Sequence, residues 1–342
     1  MTAGARLAVI AALFGCASDS AGDGGSSTSN AESSSTSTSS ESSSSSSESG
    51  VDASSSESSS SSSSTGDEPL PECPGYMDAI AAATIVDPAI VEASGLAASR
   101  AHPGVLWVHN DSGDGARVFA IYESGASLAE LAIDDAIALD WEDMSLGPGP
   151  DEGVDYLYFG DIGDNPELRA TVQVYRVAEP DPADGSGTVT GAVMLDLNYP
   201  DGSHNAETLL VDPKTGDIVI VTKEARGPSI VFVAPFPQEE GAPIDMQAIG
   251  ELAFGSATLP GSELATGGDI SPDGSTIAIR TYDSVFGWRR TPTMTLEEAF
   301  AGAPCPLPMM ARTQGEALAF TTDAYYTVSE GAMPTLWRFD AI

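Results

Sequence analysis

The sequence predicts an all-β fold, a β-propeller of five blades, from two observations. A unit of two short strands joined by a turn rich in Gly, Asp and Pro occurs five times. An acidic residue opens each unit, and successive opening acids stand 50, 65, 62 and 47 residues apart, which for a repeat built of strands alone is typical of propeller blades. The five opening acids are Glu92, Glu142, Glu207, Asp269 and Glu316.

The clearest copy of the unit covers residues 207–224. An acid and a short apolar run lead into a turn of Pro, Lys, Thr, Gly and Asp, and residues 218–222 then form a β-branched run. Apolar residues at consecutive positions of this second run indicate a strand that is buried on both faces. The unit therefore predicts the two innermost strands of a blade.

Each repeat then extends outward to further strands. In order, the predicted strands are residues 92–98, 106–109, 117–122 and 128–133 in blade 1, 144–146, 156–159, 172–177 and 192–197 in blade 2, 208–211, 218–222, 230–234 and 249–254 in blade 3, 268–271, 276–281 and 285–289 in blade 4, and 317–321, 325–329 and 336–339 in blade 5. Residues 296–300 have a helical pattern. Six blades are the alternative, because the long stretches 181–191 and 238–261 have room for another hairpin.

The fifth blade has only three predicted strands before the chain stops at Ile342. A propeller closes when a strand from the other chain end completes its last blade, which removes two open sheet edges. Residues 80–86 form a strand without a hairpin partner, so we expect them to close the ring. Cys73 precedes this strand and Cys305 lies between blades four and five, which predicts a disulfide that pins the closure; two free thiols are the alternative.

Residues 1–16 read as a lipoprotein signal peptide, in which Arg6 precedes the apolar run 7–14. The sequence Leu13-Phe-Gly-Cys16 resembles the lipobox of bacterial lipoproteins. The resemblance implies that Cys16 is acylated and anchors the chain to a membrane. It also implies the outer membrane or cell surface, because Ala17 stands where an inner-membrane retention signal has Asp. An ordinary signal peptide with an incidental cysteine is the alternative.

Residues 17–72 consist mainly of Ser with scattered Gly, Thr, Glu and Asp. Such a composition has too little apolar surface to offset the entropy of folding, so these residues are predicted to be a disordered tether. A flexible coil of this length spans roughly 40 Å. The folded domain is then residues 73–342.

The formal net charge is −38, from 51 acidic and 13 basic residues. No basic cluster interrupts it, so nucleic acid and anionic membrane surfaces are poor partners and cations are good ones.

In a propeller the first strand of each blade lines the central channel, so the five opening acids are predicted to converge on one axis. Their mutual repulsion favours a bound cation, and ligation by oxygen alone suits Ca²⁺ better than Zn²⁺. A second set of acids follows the second strands and includes Asp111, Asp161 and Asp164, together with Glu224, Asp283 and Glu330. The alternative is a solvated acidic rim that binds nothing tightly.

Four segments carry a family resemblance: Glu92-Ala-Ser-Gly-Leu-Ala, Asp140-Trp-Glu-Asp-Met, Gly160-Asp-Ile-Gly-Asp-Asn165 and Thr266-Gly-Gly-Asp-Ile-Ser-Pro-Asp-Gly274. Together they resemble secreted bacterial β-propeller lipoproteins and, more distantly, the NHL, gluconolactonase-like and phytase-like propellers. In gluconolactonase-like enzymes a Glu that opens the first inner strand helps to bind a divalent metal, and only Glu92 matches that position. This chain departs from their mixed Glu, Asn and Asp set by placing an acid in every blade.

Two functions fit these observations. The first is a surface-tethered module that binds an extracellular ligand or partner at the channel mouth, with Ca²⁺ as cofactor. The alternative is a metal-dependent hydrolase of lactones or phosphoesters, with metal-activated water held by Glu92, Glu142, Glu207 and Asp269. Strong catalytic motifs are missing from the sequence, and binding is favoured because no general base or oxyanion donor can be picked out.

Overall fold

The computed structural model describes residues 72–255, 259–310 and 314–342. The lipobox with Cys16 and almost all of the predicted tether lie outside these residues. The described part is nearly all β, and its one α-helix, α1 (Leu296–Phe300), confirms the helical segment expected there. None of the described helices has the length and hydropathy needed to cross a bilayer.

The strands follow the predicted repeat closely. In chain order they are β1 (Ile80–Thr84), β2 (Ala93–Ala98), β3 (Val105–Asn110), β4 (Arg117–Tyr122), β5 (Ser127–Ile133), β6 (Trp141–Pro148), β7 (Asp155–Asp161), β8 (Val172–Ala178), β9 (Gly187–Val189), β10 (Val193–Asn198), β11 (Ala206–Val211), β12 (Ile218–Thr222), β13 (Ser229–Ala234), β14 (Ile244–Asp245), β15 (Gln247–Leu252), β16 (Ala265–Ile270), β17 (Thr276–Thr281), β18 (Val285–Arg289), β19 (Cys305–Leu307), β20 (Gly315–Phe320), β21 (Ala324–Ser329) and β22 (Thr335–Asp340).

The strands form five sheets, and this pairing confirms a five-bladed propeller. From the channel outward, the sheets run β2-β3-β4-β5-β9, β6-β7-β8-β10-β14, β11-β12-β13-β15, β16-β17-β18-β19 and β20-β21-β22-β1. The five innermost strands, β2, β6, β11, β16 and β20, each lie against the innermost strands of the two adjacent blades, so they form a closed ring.

The six-blade alternative is wrong for a simple reason. Two of the extra segments are short strands that extend existing sheets instead of starting a new one. β9 pairs in parallel with β5, and β14 pairs in parallel with β10, so blades 2 and 3 each lend one strand to the outer edge of the blade before. These additions cover sheet edges that would otherwise be open. The sequence analysis also missed β19, which pairs with β18 and completes blade 4.

Closure by the N-terminal strand is confirmed. β1 pairs antiparallel with β22, from Ile80 opposite Arg338 to Thr84 opposite Thr335. The predicted disulfide is also confirmed, since Cys73 is bonded to Cys305 on β19. The segment that precedes β1 is therefore tied to blade 4, while β1 itself completes blade 5.

The hydrophobic core lies between the blades. Buried apolar residues fall into five clusters, and each cluster joins two adjacent blades: 1 with 2, 2 with 3, 3 with 4, 4 with 5, and 5 with 1. Strands such as β12 are buried at every position because one face meets the preceding blade and the other face meets the next. That environment explains the uninterrupted β-branched runs in the sequence.

Candidate metal and ligand site at the channel mouth

A β-bulge near the start of every inner strand sets which side chains reach the channel mouth. The pairing shifts register between Ala93 and Gly95, Trp141 and Met144, Ala206 and Thr208, Ala265 and Gly267, and Gly315 and Ala317. A bulge re-aims the residue that it contains. The bulged positions hold Ser94, Glu142, Glu207, Thr266 and Glu316. Three of the five predicted acids therefore occupy equivalent places in blades 2, 3 and 5.

The tightest group of acids lies between blades 1 and 2. It consists of Asp111 after β3, Asp140 before β6 and Glu142 on β6, and one carboxylate oxygen of each lies within 4.8 Å of the others. Sequence analysis named Glu142 as a primary residue and Asp111 as a secondary one. It missed Asp140, although this residue stands two positions before Glu142 in the Asp-Trp-Glu-Asp segment.

The Glu142 carboxylate is nearly buried and unpaired. Its residue is only 5% exposed, and among the described residues no hydrogen-bond donor or ion-pair partner reaches the carboxylate. Burial raises the pKa of Glu142 well above its usual value, and Glu207, Asp111 and Asp140 raise it further. Burial also raises the pKa values of Asp111 and Asp140. Lys223 opposes these effects by lowering the pKa values of Glu142 and Asp111, and a hydrogen bond with Ser112 lowers that of Asp140.

Gly163 allows the carboxylates to come together. A Cβ atom at this position would lie 2.4 Å from both Asp140 Oδ2 and Glu142 Oε1, so only glycine lets the loop after β7 pass this close. The Gly163 amide also donates a hydrogen bond to the Asp140 carbonyl, at 3.2 Å. The loop thus forms one wall of the carboxylate group.

A lysine of blade 3 lies among the acids of the channel mouth. Lys223, which follows β12, forms an ion pair with Glu207 and donates a hydrogen bond to the Tyr282 hydroxyl at 2.8 Å. Burial raises the pKa of Glu207 to about 7 despite the attraction of Lys223. For Lys223 burial lowers the pKa, but Glu207 and Tyr282 outweigh it and the net shift is upward. Lys223 therefore neutralises Glu207 and stays charged.

Blade 5 contributes two further acids. Glu316 is 5% exposed, and within the described chain its carboxylate has no hydrogen-bond or ion-pair partner. Burial, followed by repulsion from Glu207, raises the pKa of Glu316 to about 8. Glu330, after β21, accepts a hydrogen bond of 2.6 Å from Gln314. Burial and then Asp111 and Glu92 raise the Glu330 pKa. Glu92 is exposed just before β2, two residues ahead of the bulge.

Asp269 does not lie at the mouth, which corrects the expectation from the sequence. β16 begins at Ala265, three residues before the predicted start, so Asp269 is its fifth residue and Thr266 takes the place of a glutamate. The Asp269 carboxylate accepts hydrogen bonds of 2.8 Å from the Ile270 and Phe320 amides. It therefore links blade 4 to blade 5, and burial raises its pKa to about 7.

Asp161 and Asp164 lie beside the carboxylate group and position it. Asp161 forms an ion pair with Arg169 at 2.7 Å and accepts hydrogen bonds from the Leu139 and Asp140 amides. Asp164 accepts a 2.6 Å hydrogen bond from the Arg169 amide. The two carboxylates thus fix the backbone before β6, which carries Asp140, and the loop after β7, which carries Arg169.

The Asp143 side chain bonds to the inner strands of three blades, below the channel mouth. Its carboxylate accepts hydrogen bonds from the amides of Met144 on blade 2, Leu209 on blade 3 and Gly268 on blade 4. Burial raises the pKa of Asp143 well above its usual value, against the effect of these donors. The Asp143 side chain therefore links the inner strands of blades 2, 3 and 4.

No protein-family model matches this chain, and no curated protein matches it in sequence. Among solved structures, it is similar to a PQQ-bound aldose sugar dehydrogenase from Streptomyces coelicolor, with 11% identity and a TM-score of 0.43 over 80% of this chain and 100% of that one. A gluconolactonase from Xanthomonas campestris matches with 12% identity and a TM-score of 0.43, over 80% and 97%. These neighbours are propellers. At such identities and TM-scores the likeness carries no argument about activity, and the blade assignment rests on the strand pairing.

Proposed function

We propose that the channel mouth binds a divalent cation, Ca²⁺ by preference, and that the propeller binds its ligand at this cation-loaded mouth. The observation that carries the proposal is Glu142, a nearly buried carboxylate with no partner among the described residues, held within 4.8 Å of the Asp111 and Asp140 oxygens. Unpaired buried charge is costly, and a cation with several oxygen ligands removes the cost.

The donor set favours Ca²⁺. All three residues of the group offer carboxylate oxygen, and neither His nor Cys belongs to it. Hard cations take such ligands, whereas Zn²⁺ sites usually contain imidazole or thiolate. Three carboxylates leave several coordination positions for water or for an oxygen of the ligand. A cation there would therefore link the protein to what it binds.

Binding is favoured over hydrolysis by what surrounds the group. Lys223 is engaged by Glu207 and Tyr282, and Asp143 is engaged by three backbone amides. His109 is fully buried, with its pKa lowered by that burial, and its ring packs against Trp141. None of these three is free to act as a general base at the mouth.

Calorimetric titration of Ca²⁺ into the metal-free protein tests the proposal. We expect a dissociation constant on the order of 10⁻⁴ to 10⁻³ M, which is usual for extracellular sites. Glu142→Gln should weaken binding at least about tenfold, because it removes one charged ligand. Glu152→Gln, in an exposed loop at the other end of the blades, is the matched control and should leave binding unchanged.

Absence of Ca²⁺ binding, or equal binding by both variants, would refute the metal site. The Ca²⁺-loaded protein should also be incubated with lactone, aryl ester and phosphomonoester substrates. Turnover that Glu142→Gln abolishes would put the hydrolase alternative first.

The proposed setting is the outer membrane or cell surface, with a lipid anchor at Cys16 and residues 17–72 as the tether. Millimolar extracellular Ca²⁺ would fill a site of the expected affinity. Mass spectrometry of the mature N-terminus tests the anchor, which requires an acylated Cys16; cleavage elsewhere with an unmodified cysteine would exclude it.

A further inference from the structure

His204, in the loop before β11, contacts two carboxylates through its two ring nitrogens. Nδ1 lies 2.9 Å from Glu224 Oε1, and Nε2 lies 3.0 Å from Asp201 Oδ1. An ionised carboxylate only accepts hydrogen bonds, so both ring nitrogens must donate if both contacts are to form. The imidazolium has two N–H groups, whereas the neutral ring has one. Both contacts together therefore require a protonated His204.

The groups around the ring favour this charged form. Burial lowers the pKa of His204, but the hydrogen bonds and charges of Asp201 and Glu224 outweigh it, and the net shift is upward. The aromatic rings of Tyr199 and of Phe232 on β13 lie against the imidazole, with centroid distances of 5.1 and 5.3 Å. The imidazole is thus enclosed by two rings and held at both nitrogens.

The loop after β7, in blade 2, holds the residues on either side of His204. The Ser203 hydroxyl donates a 2.7 Å hydrogen bond to the Arg169 carbonyl, and the Asp164 amide donates one of 2.7 Å to Asn205 Oδ1. Arg169 and Asp164 are the charged residues that face the His204 loop from this side, and their charges are opposite. The charges that raise the His204 pKa are those of Asp201 and Glu224.

One of the two carboxylates is next to the cation of the channel mouth. Glu224 directly follows Lys223, whose ammonium group pairs with Glu207. The Lys223 amide donates a 2.9 Å hydrogen bond to the carbonyl of Asn205, the residue after His204. The loop before β11 and the segment after β12 are therefore joined twice, once by side chains and once by backbone, and Lys223 lies in the joined segment.

We infer that His204 forms a pH-sensitive ion-pair link that positions Lys223 at the channel mouth. As an imidazolium it ties the loop before β11 to the segment after β12. The neutral ring can donate to only one of the two carboxylates, so deprotonation loosens this link. The inference rests on the proposed function only for the role of the mouth as the binding site, and it adds regulation by pH.

The direction of the pH effect follows from the upward shift of the His204 pKa in the folded protein. A raised histidine pKa contributes stability that is present at low pH and is lost as the pH rises through the folded-state pKa. The link should therefore be formed in mildly acidic solution and loosened in alkaline solution.

NMR titration of the histidine rings in EDTA tests the charge state of the link. The chain has three histidines, so each ring signal is assigned by the variant that lacks it. We expect a His204 pKa above the usual value for histidine, and both Asp201→Asn and Glu224→Gln should lower it. His102→Gln is the matched control, because His102 Nδ1 lies 3.9 Å from the Asp181 carboxylate, beyond hydrogen-bond distance, and it should leave the His204 pKa unchanged.

Amide hydrogen exchange of Lys223 tests the positioning. Its protection factor, which corrects for the intrinsic effect of pH on exchange, should fall about tenfold between pH 5.5 and pH 8.5, as expected for the loss of one charge-assisted hydrogen bond. In His204→Gln the protection factor should already be low at pH 5.5 and should not change with pH. His102→Gln should behave as the wild type does, and amides within β12 should keep their protection in all of these proteins.

A His204 pKa at or below the usual value, or one that neither carboxylate variant lowers, would overturn the inference. A Lys223 protection factor that is the same at both pH values would also overturn it. The Asp201 side chain is 51% exposed, so its variant keeps the test valid if Glu224→Gln folds poorly. Neither measurement uses Ca²⁺, so these results leave the proposed metal site intact, and a failed Ca²⁺ titration leaves the His204 link intact.

Discussion

Three equivalent glutamates at the mouth differ in their counter-ions. Glu142, Glu207 and Glu316 occupy the same bulged position of three inner strands, but only Glu207 has a lysine beside it. The other two carboxylates are at least as buried and form no ion pair within the described residues, although Lys223 lowers the pKa of both and Arg280 lowers that of Glu316. A bound cation, as proposed above, would balance these two carboxylates.

Glu142→Gln should therefore stabilise the metal-free protein. The amide keeps the size of the side chain and removes the repulsion from Asp111, Asp140 and Glu207. We expect a melting temperature about 2–4 °C higher in EDTA at pH 8, which corresponds to about 1 kcal/mol for a domain of this size. Scanning calorimetry measures it, with Glu152→Gln as the unaffected control. A lower melting temperature would show that the carboxylate makes a stabilising contact in the apo protein.

The ring of blades is closed by β1 and by the disulfide that precedes it. β1 covers the edge of β22, and Cys73–Cys305 joins residues 232 positions apart. A crosslink over so long a segment removes many conformations from the unfolded chain. The edge strands β9 and β14 also join neighbouring blades, because each ties a loop of one blade to the sheet of another.

Replacing both Cys73 and Cys305 by Ser should lower the free energy of unfolding by about 2–5 kcal/mol. Guanidinium denaturation of the double variant measures this loss, and the wild type in reductant should match the variant. A double variant as stable as the oxidised wild type would mean that strand pairing alone holds the closure.

The buried acids of the domain make its free energy of unfolding decrease as the pH rises. Burial raises the pKa of Glu316 to about 8 and that of Asp269 to about 7, whereas both groups lose their protons near pH 4 in an unfolded chain. The folded protein therefore binds more protons than the unfolded chain between these limits. By linkage, stability that is present at low pH is lost as the pH rises through 7 and 8.

The melting temperature of the metal-free protein should thus fall as the pH rises from 6 to 8, where ordinary carboxyl groups no longer titrate, and level off above pH 8. Calorimetry in EDTA at constant ionic strength measures the trend, and Glu316→Gln should flatten it. A melting temperature that rises over this range would contradict the raised pKa values. Saturating Ca²⁺ at pH 8 should restore part of the loss, because it binds the native state alone.

The sequence predicted the five blades, the closing strand and the disulfide, with six blades and two free thiols as the alternatives. These follow from the spacing of the repeat, from strands buried on both faces and from the positions of Cys73 and Cys305, all of which are properties of the chain read in order. Only the tertiary structure decided which acids meet. Asp269 lies three residues past the bulged Thr266 and Asp140 lies beside Glu142, because bulge positions and strand starts set the side-chain directions. The ion pair between Lys223 and Glu207 was not predicted, because it depends on how neighbouring strands align, which composition and period do not encode.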